Sequence, residues 1–597
     1  MLRRGRLDIA VSPLGELNPL PPLGGLPDAP YEFDLAELSE DIAEGIRYGR
    51  VRTMVPYLTQ DGYGRTPQMS TVDTLVLENS RLCATFLPQW GGRLWSLVDK
   101  ATHAELLHVP DVLQPANLAL RNAWFAGGVE WNIGTRGHSP TTCAPLFAAR
   151  VGEDRLRMWE WERVRGVVFS IDAWLPEDSA ALFIGVRVHN PSTQDTPMYW
   201  WSNTAVRETP DLRVLAPATT AFRTSYEGDL SRVDVTEDVT FPARSPEAAD
   251  YFYEVERPWI AAVDARGRGL GQVSTPELKG RKQFCWGSSA GGRRWQEWLG
   301  GGPYCEIQAG LARTQYEHVP LAAASSIRWV EAYGPVDGED TERAIDAMCS
   351  PRRLDEAVRE FDEALTEQLG ELFATGSGWG ALEDVHVSGV AFPAEALGAE
   401  QRPWLELLRH GCLDASHPAI APESYVLGSA WERRLAAAPA NWATHYHLGV
   451  IAHADGRLGQ ARWHYERSLE HSSSAWARRA LALVNGGDPE QLARALAEAP
   501  GVWQLAVEAV AAARTGADAL ALLDSLRPEV AARGRLRLLR VRAALDAGRR
   551  EDAAALLRSG IEVPDLREGE VSLDRLWAGA CPGEPLPIDY DFRMHGG

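Results

Sequence analysis

The sequence predicts an antiparallel β-sandwich followed by an α-helical solenoid, and its character changes near Pro335. Before Pro335, short segments rich in β-branched and aromatic residues alternate with turns of Gly, Pro and Asn, which is the pattern of an all-β sandwich. Beyond Pro335, Ala, Leu, Arg and Glu predominate, and apolar residues recur at helical spacing. A chain of 597 residues is also too long for one ordinary domain.

Six segments of the first half are the clearest predicted strands. Each is either alternately apolar and polar or wholly apolar, so each can cover a face of a packed sheet. They lie at residues 74–80, 82–88, 93–99, 181–190, 197–206 and 325–334. In the second half, residues 341–350 and 354–373 have the apolar spacing of amphipathic helices.

The predicted domain organisation follows these changes of pattern. Residues 1–70 are an N-terminal extension with one strand over residues 7–14 and a polar helix or loop over residues 34–49, and residues 71–336 form the sandwich. A helical connector over residues 337–430 precedes helical repeats over residues 431–585, and residues 586–597 are a C-terminal tail. The sandwich is the domain in which we expect the functional site.

The repeats carry a recognisable helix–turn–helix pattern between residues 444 and 472. Small residues at fixed offsets let two helices approach closely, and aromatic residues fill the remaining gap. The residues that fit these offsets are Leu448, Gly449, Ala452, Ala461, Tyr465 and Ser468. Residues 535–560 repeat the pattern, and residues 475–525 hold a more degenerate unit. This part of the chain therefore resembles a tetratricopeptide-like solenoid of about three or four hairpins.

Composition excludes several function classes. The formal net charge is −22, with 82 acidic and 60 basic residues, so nucleic acid is not an expected partner. No apolar run has the length of a membrane span or of the core of a signal peptide, and no membrane association is expected. The seven cysteines are scattered and form no CxxC pair, which predicts a reducing, cytoplasmic location. No cluster has metal-ligand spacing, and no cofactor is predicted.

Tryptophan is abundant, with 22 residues concentrated in the first half of the chain. Large aromatic side chains fill the core of a sandwich, and they also stack on the flat C–H faces of sugar rings. Both interpretations stay open, because different tryptophans can serve each purpose. Together with the sandwich, they predict a soluble sugar or oligosaccharide as the ligand.

Residues 119–145 hold the densest group of candidate site residues. Glu130 lies between Val129 and Trp131 in a strand-like run, so its side chain should point away from theirs. Burial among aromatic residues would raise the pKa of Glu130 and suit it to general acid catalysis. Alternatively, Glu130 forms an ion pair with Arg121 or Arg93. His138 is a second candidate for proton transfer or for a hydrogen bond to a hydroxyl group.

Two further motifs resemble the galactose-mutarotase-like β-sandwich superfamily. Gly91-Gly92 precedes a short strand, similar to the hairpin that begins the sugar-binding sheet of that superfamily. Glu306 and Gln308 are separated by one residue, similar to a late strand of aldose epimerases whose Glu is the general base. With the repeats, the chain resembles a bacterial family of uncharacterised proteins that joins a mutarotase-like sandwich to tetratricopeptide repeats.

The sequence departs from true aldose epimerases at one position that matters for catalysis. Those enzymes carry their general acid in an Asn-His-x-Tyr-Phe-Asn motif on a central strand. The comparable strand here, residues 199–208, has Ser202-Asn203 and no histidine. The acid must then be His138 or a carboxyl group.

Three functional hypotheses follow. The first is a glycosidase or transglycosidase in which Glu306 works with Glu130 or Glu208 as a carboxylate pair. The residues expected to bind hydroxyl groups or stack on rings are Arg93, Trp124, Trp131, Asn132, His138, Asn203 and Gln308. The second is a mutarotase or epimerase with Glu306 as base and His138 as acid. The third is a sugar-binding adaptor without catalysis, whose repeats bind a protein partner, mediate dimerisation or cover one side of the sugar groove.

Overall fold

The computed structural model describes residues 1–25, 35, 38–225, 230–414 and 417–594. Parts of the predicted polar helix or loop near residue 34 lie outside these residues. The strands are β1 Leu2–Val11, β2 Gln68–Glu78, β3 Leu82–Leu87, β4 Arg93–Asp99, β5 Ala104–Glu105, β6 Val112–Leu113, β7 Val129–Ile133, β8 Phe147–Val151, β9 Arg155–Glu162, β10 Val167–Trp174, β11 Leu182–Asn190, β12 Thr196–Met198, β13 Trp200–Arg207, β14 Arg213–Leu215, β15 Thr220–Ser225, β16 Ser231–Asp234, β17 Ala249–Tyr253, β18 Trp259–Val263, β19 Arg268–Ser274, β20 Gly280–Cys285, β21 Tyr304–Gly310, β22 Val319–Leu321, β23 Ser325–Asp337 and β24 Leu369–Ala374.

The helices lie mainly in the second half of the chain. They are α1 Glu40–Arg47, α2 Ala290–Leu299, α3 Thr341–Met348, α4 Pro351–Ala364, α5 Trp379–Leu382, α6 Arg402–His410, α7 Ser429–Ala437, α8 Trp442–Ala454, α9 Leu458–His471, α10 Ala475–Val484, α11 Pro489–Glu498, α12 Trp503–Ala511, α13 Gly516–Ser525, α14 Pro528–Ala531, α15 Gly534–Asp546, α16 Arg550–Arg558 and α17 Ser572–Ala580. Within the described ranges, no helix is both long and apolar enough to cross a membrane.

Two large sheets pack face to face, which confirms the predicted sandwich. The larger sheet has the strand order β16-β15-β17-β20-β21-β13-β7-β4-β3-β2-β1-β6, and β5 pairs with β4. The smaller sheet has the order β14-β18-β19-β23-β11-β10-β9-β8-β24. The core between them is filled by apolar side chains from both sheets, such as Phe86 and Ile307 from one and Ile171 and Trp329 from the other. Burying these side chains is the main source of the sandwich's stability.

The N-terminal segment belongs to the larger sheet. Strand β1 pairs with β2 in an antiparallel register that runs from Leu2 opposite Leu77 to Val11 opposite Gln68. The sequence predicted this strand only from Leu7 onward, because the alternation of residues 2–6 is interrupted by arginines. Helix α1 packs its apolar face on the sandwich in the same cluster as Trp201.

One predicted helix is wrong at its C-terminal end. Residues 354–373 were expected to form one helix, but α4 ends at Ala364 and residues 369–374 form β24. Strand β24 pairs with β8 through an irregular register. The free backbone groups of the sheet edge at β8 accept this segment, and Gly370 within it is a poor helix former.

The C-terminal helices pack as successive antiparallel hairpins, which confirms the predicted solenoid. The first hairpin, α8 and α9, depends on a close approach at Gly449, where a Cβ atom would lie 2.4 Å from the Tyr465 ring. The last helices share a hydrophobic core with the sandwich, in which Leu538, Leu566 and Trp577 join Trp124 and Tyr304. The solenoid is thus packed directly on the sandwich.

We predict that Gly449→Ala destabilises the solenoid by about 1–3 kcal/mol, because the added methyl group overpacks the fully buried Tyr465. The measurement is the urea midpoint of unfolding, followed by circular dichroism. Gly459→Ala is the matched control, since Gly459 lies in α9 with no neighbouring atom near its Cβ position. This control should be neutral or stabilising. Equal midpoints for Gly449→Ala and the unmodified protein would contradict the packing at α8 and α9.

Candidate functional site

The candidate site lies on the face of the larger sheet that points away from the sandwich core. Strands β7, β13 and β21 are neighbours there, and Asn203 on β13 is paired with Glu130 on one side and Gln308 on the other. Since side chains alternate along a strand, Glu130, Asn132, Asn203, Glu306 and Gln308 share this outer face. Glu130 lies opposite Asn203 whereas Glu306 lies opposite Ala205, so the two glutamates are about 10 Å apart across the sheet and about 7 Å apart along the strands.

Strand β7 reaches this position through a tight turn at Gly127-Gly128. Gly128 has a φ of 69°, and a Cβ atom there would lie 2.3 Å from the carbonyl oxygen of Leu94. Only glycine fits this approach. The glycines therefore bring the start of β7 against β4 and set the register in which the Glu130 side chain points to the outer face.

Glu130 is almost completely enclosed and is surrounded by donors. Its Oε2 atom accepts hydrogen bonds from Trp124 Nε1 at 2.9 Å and His138 Nδ1 at 2.7 Å. Its Oε1 atom accepts one from Thr142 Oγ1 at 2.7 Å, and the Arg93 guanidinium lies 3.6 Å away. The carboxylate is 2 % exposed. All of these contacts favour its ionised form.

The expectation that Glu130 has a raised pKa is wrong. Burial does act in that direction, but the charges of His138 and Arg93 and the hydrogen bonds outweigh it, and the pKa falls to about 2. Of the two predicted ion-pair partners, Arg93 forms the pair, whereas Arg121 donates to the carbonyl oxygens of Leu58 and Pro140. Glu130 is therefore a permanent anion at neutral pH and cannot deliver a proton.

His138 takes its orientation from Glu130. Its Nδ1 atom donates to Glu130, and its ring packs against the Trp124 indole with centroids 4.8 Å apart. Burial lowers the pKa of His138, but the carboxylates of Glu130, Glu306 and Glu568 together raise it above its ordinary value. Since Nδ1 is occupied, any proton that His138 exchanges with a ligand passes through Nε2. Its side chain is 20 % exposed, so a ligand can reach it.

Glu306 lies on the same face and has the opposite electrostatic character. Burial raises the pKa of Glu306, and the nearby positive charges of His138 and Lys282 only partly offset this effect. Gln308 Nε2 donates to Glu306 Oε2 at 3.0 Å, and the Asn203 side chain also hydrogen-bonds the carboxyl group. Glu306 is thus held in place with a pKa that favours accepting a proton.

Comparisons with known proteins agree with this architecture. Residues 50–335 match the model of a family described as a domain of unknown function, DUF5107. The matched residues make up most of the sandwich. The expected union of such a sandwich with tetratricopeptide-type helices is confirmed by a TPR-domain containing protein from Parabacteroides distasonis. That structure has 19% identity and a TM-score of 0.69, and the match covers 99% of this chain and 97% of that one.

Smaller solved structures are similar to part of the chain. A galactose mutarotase-like protein from Clostridium acetobutylicum has 11% identity and a TM-score of 0.35, over 45% of this chain and 96% of that one. One from Lactobacillus casei has 10% identity and a TM-score of 0.32, over 44% and 99%.

Two residues predicted for the site lie on the opposite face of the larger sheet. Trp131 is packed in the sandwich core, where its ring stacks on Trp200, because it alternates with Glu130 along β7. Glu208 follows β13 two residues after Val206, which packs in that core, and it adds to the effect of burial in raising the pKa of the core residues Cys285 and Cys305. The assignments of Trp131 to sugar binding and of Glu208 to catalysis are corrected accordingly.

Three other residues that were predicted to bind the ligand instead hold Glu130 and its surroundings in place. Arg93 is buried and donates to the carbonyl oxygens of Phe125 and Gly127, so it has no surface for a sugar. The Trp124 indole N–H is taken by Glu130. Asn132 Oδ1 accepts the backbone N–H of Ser139 at 2.8 Å, which fixes the loop that carries His138. These residues hold the site together rather than line it.

The candidate site includes two residues that the sequence did not indicate. Lys282 on β20 is paired with Gln308 in the register and forms an ion pair with Asp250 at 2.7 Å. Tyr304 shares the face of Glu306, and its ring stacks on His108 with centroids 4.6 Å apart. Lys282 carried no clear local signal, because its neighbours Arg281 and Gln283 are also polar, and the approach of His108 to Tyr304 is a tertiary contact.

We predict that Glu130→Gln lowers the pKa of His138 by about one unit or more, because the variant removes the nearest negative charge. The measurement is a proton NMR titration of the His138 ring in protein with labelled histidine. Glu208→Gln is the control and should leave this pKa unchanged, since Glu208 lies on the other face of the sheet. An unchanged His138 pKa in Glu130→Gln would show that the pair does not govern this histidine.

Proposed function

We propose that this protein is an aldose mutarotase or a closely related epimerase that acts at the anomeric centre of a free sugar. The observation that carries the proposal is the presence of His138 and Glu306 on one sheet face with complementary proton affinities. His138 is favoured in its protonated form by the Glu130 carboxylate. Glu306 is a buried carboxyl group that a neighbouring amide holds in place. Ring opening of an aldose needs one acid and one base of this kind.

A glycosidase that uses two carboxyl groups is less compatible with this geometry. Its acid must have a raised pKa so that it can protonate the leaving oxygen at neutral pH. In a pair with Glu306, whose pKa is raised, Glu130 would therefore have to attack the anomeric carbon or activate water, but it is enclosed and both of its oxygens already accept hydrogen bonds. His138 is the group with a proton to donate, so the second hypothesis is favoured over the first.

The proposed reaction proceeds by proton transfer alone. Glu306 accepts the proton of the anomeric hydroxyl group while His138 donates the Nε2 proton to the ring oxygen. The bond between the anomeric carbon and the ring oxygen breaks, and the open-chain aldehyde forms. Rotation about the adjacent carbon–carbon bond presents the other face of the carbonyl group. Reversal of both proton transfers then closes the ring as the other anomer and restores both residues.

The surrounding residues support these roles. Asn203 and Gln308 hold the Glu306 carboxyl group, and Lys282 lies close enough to stabilise its anion. Glu130 stabilises the His138 imidazolium and fixes its ring, in the manner of a carboxylate that orients a catalytic histidine. The acid of this site would thus come from the loop after β7, which explains why the central strand β13 can lack a histidine.

We predict that Glu306→Gln and His138→Phe each slow the interconversion of α- and β-glucose by about 10²–10⁴-fold, because each removes a general acid or base. Proton NMR of the anomeric signals gives the rate, with a panel of freshly dissolved aldoses and oligosaccharides. Glu208→Gln is the matched control and should retain full activity. New reducing ends from an oligosaccharide would identify a glycosidase, and sugar binding without any reaction would identify an adaptor.

The pH dependence of the same reaction gives a second readout. Activity should rise as pH passes the pKa of Glu306, because the base must be ionised, and fall as pH passes the pKa of His138, because the acid must be protonated. Both of these pKa values are raised, so the optimum should lie above that of an ordinary Glu–His pair. Glu130→Gln should move the alkaline limb toward lower pH, and the acid limb less far in the same direction, because the Glu130 charge is a smaller cause of the raised pKa of Glu306 than burial is. An alkaline limb that does not move would contradict His138 as the acid.

A further inference from the structure

The segment between α16 and α17 lies directly on the loop that leads into the candidate site. The backbone N–H of Glu568 donates to the Asn117 carbonyl oxygen at 3.1 Å, and Asn117 Nδ2 donates to the Asp565 carbonyl oxygen at 3.0 Å. Asn117 and Arg567 also form a parallel β-bridge. The helical part of the chain therefore adds a short strand-like segment to the sandwich, more than 400 residues away in sequence.

This segment is anchored on its other side by α15. Arg535 donates to Asp565 at 3.1 Å and to Glu570 at 2.7 Å, and the side chain of Leu566 is buried in the shared core. Glu568 lies between these two anchors and is half-buried. An anchored backbone on both sides of the residue restricts where its carboxylate can point.

Glu568 is connected to the site through two short steps. Ala116, next to Asn117, forms two backbone hydrogen bonds with Trp124 at 2.8 and 2.9 Å, and the Trp124 indole contacts Glu130 and His138. Burial lowers the pKa of His138, and Glu568 is one of the carboxylates that raise it. Burial raises the pKa of Tyr304, and Glu568 raises it further. The carboxylate of Glu568 therefore lies close enough to influence the charge of both His138 and Tyr304.

We propose that Glu568 is a sugar-binding residue supplied by the helical region, and that it selects neutral aldoses over sugar phosphates and uronates. The proposal rests on the proposed function, because it takes the face that carries His138 and Glu306 to be the sugar site. It gives the solenoid a direct part in that site. It also explains why the two parts of the chain share one hydrophobic core.

The chemistry of a carboxylate supports both halves of this proposal. Its two oxygens accept hydrogen bonds from neighbouring hydroxyl groups, and charge makes such bonds stronger than neutral ones. Two cations beside the site, Arg93 and Lys282, are already matched by Glu130 and Asp250. A phosphate or carboxylate on the ligand would meet the negative charges of Glu306 and Glu568, and this repulsion is strong at a site with little water.

The test compares the full-length protein with Glu568→Gln on glucose and on glucose 6-phosphate. We expect the unmodified protein to favour glucose, and Glu568→Gln to lower kcat/KM for glucose about 10-fold, mainly through KM. The preference for glucose over its phosphate should shrink by about the same factor. Glu584→Gln is the matched control, since Glu584 is an exposed partner of Arg558 on the same part of the chain. Thermal unfolding of each variant shows whether the segment has stayed in place.

Binding separates the two proposals. If no sugar is interconverted but glucose binds and Glu568→Gln weakens that binding, the function proposed above fails and the role of Glu568 stands. If glucose is interconverted in a Glu306-dependent way and Glu568→Gln changes neither KM nor the preference, the role of Glu568 is overturned. Equal use of glucose and its phosphate by the unmodified protein would also overturn it.

Discussion

The structure of the site depends on the burial of one ionised carboxylate, Glu130. A buried carboxylate costs several kcal/mol unless donors replace the lost water, and here those donors come from separate parts of the chain. Trp124 and Thr142 belong to the segments before and after β7, while Arg93 begins β4. Removal of any one of these donors would leave part of the Glu130 charge without a hydrogen-bond partner. The turn at Gly127-Gly128, the loop of His138 and the start of β4 must therefore converge on one point.

Because of this constraint, Glu130 and Glu306 have different roles in the site. Glu130 cannot donate a proton at neutral pH, because its pKa falls to about 2. It instead fixes the charge and orientation of His138. Glu306 has fewer donors, so burial dominates and its pKa rises. Two glutamates on neighbouring strands thus acquire opposite properties, and the difference comes from what surrounds them.

Local pattern was sufficient for much of the fold. Period-two alternation predicted that Glu130 points away from Val129 and Trp131 and that Glu306 and Gln308 share a face, and spacing of small residues predicted the helix pairing at Gly449. The same alternation turns Trp131 away from Glu130, so the two residues could not both line the site. The pKa of Glu130 could not be predicted, because its sign depends on donors that only the tertiary structure assembles. Glu568 carried no local signal, since its place follows from the docking of the solenoid.

The most direct measurement is a crystal structure of the protein with a bound aldose. The account predicts that the anomeric hydroxyl group lies within hydrogen-bonding distance of the Glu306 carboxyl group and that the ring oxygen faces Nε2 of His138. Glu130 should contact only protein groups in that complex. A sugar bound elsewhere, or one whose anomeric carbon is in contact with Glu130 and remote from His138, would contradict the account.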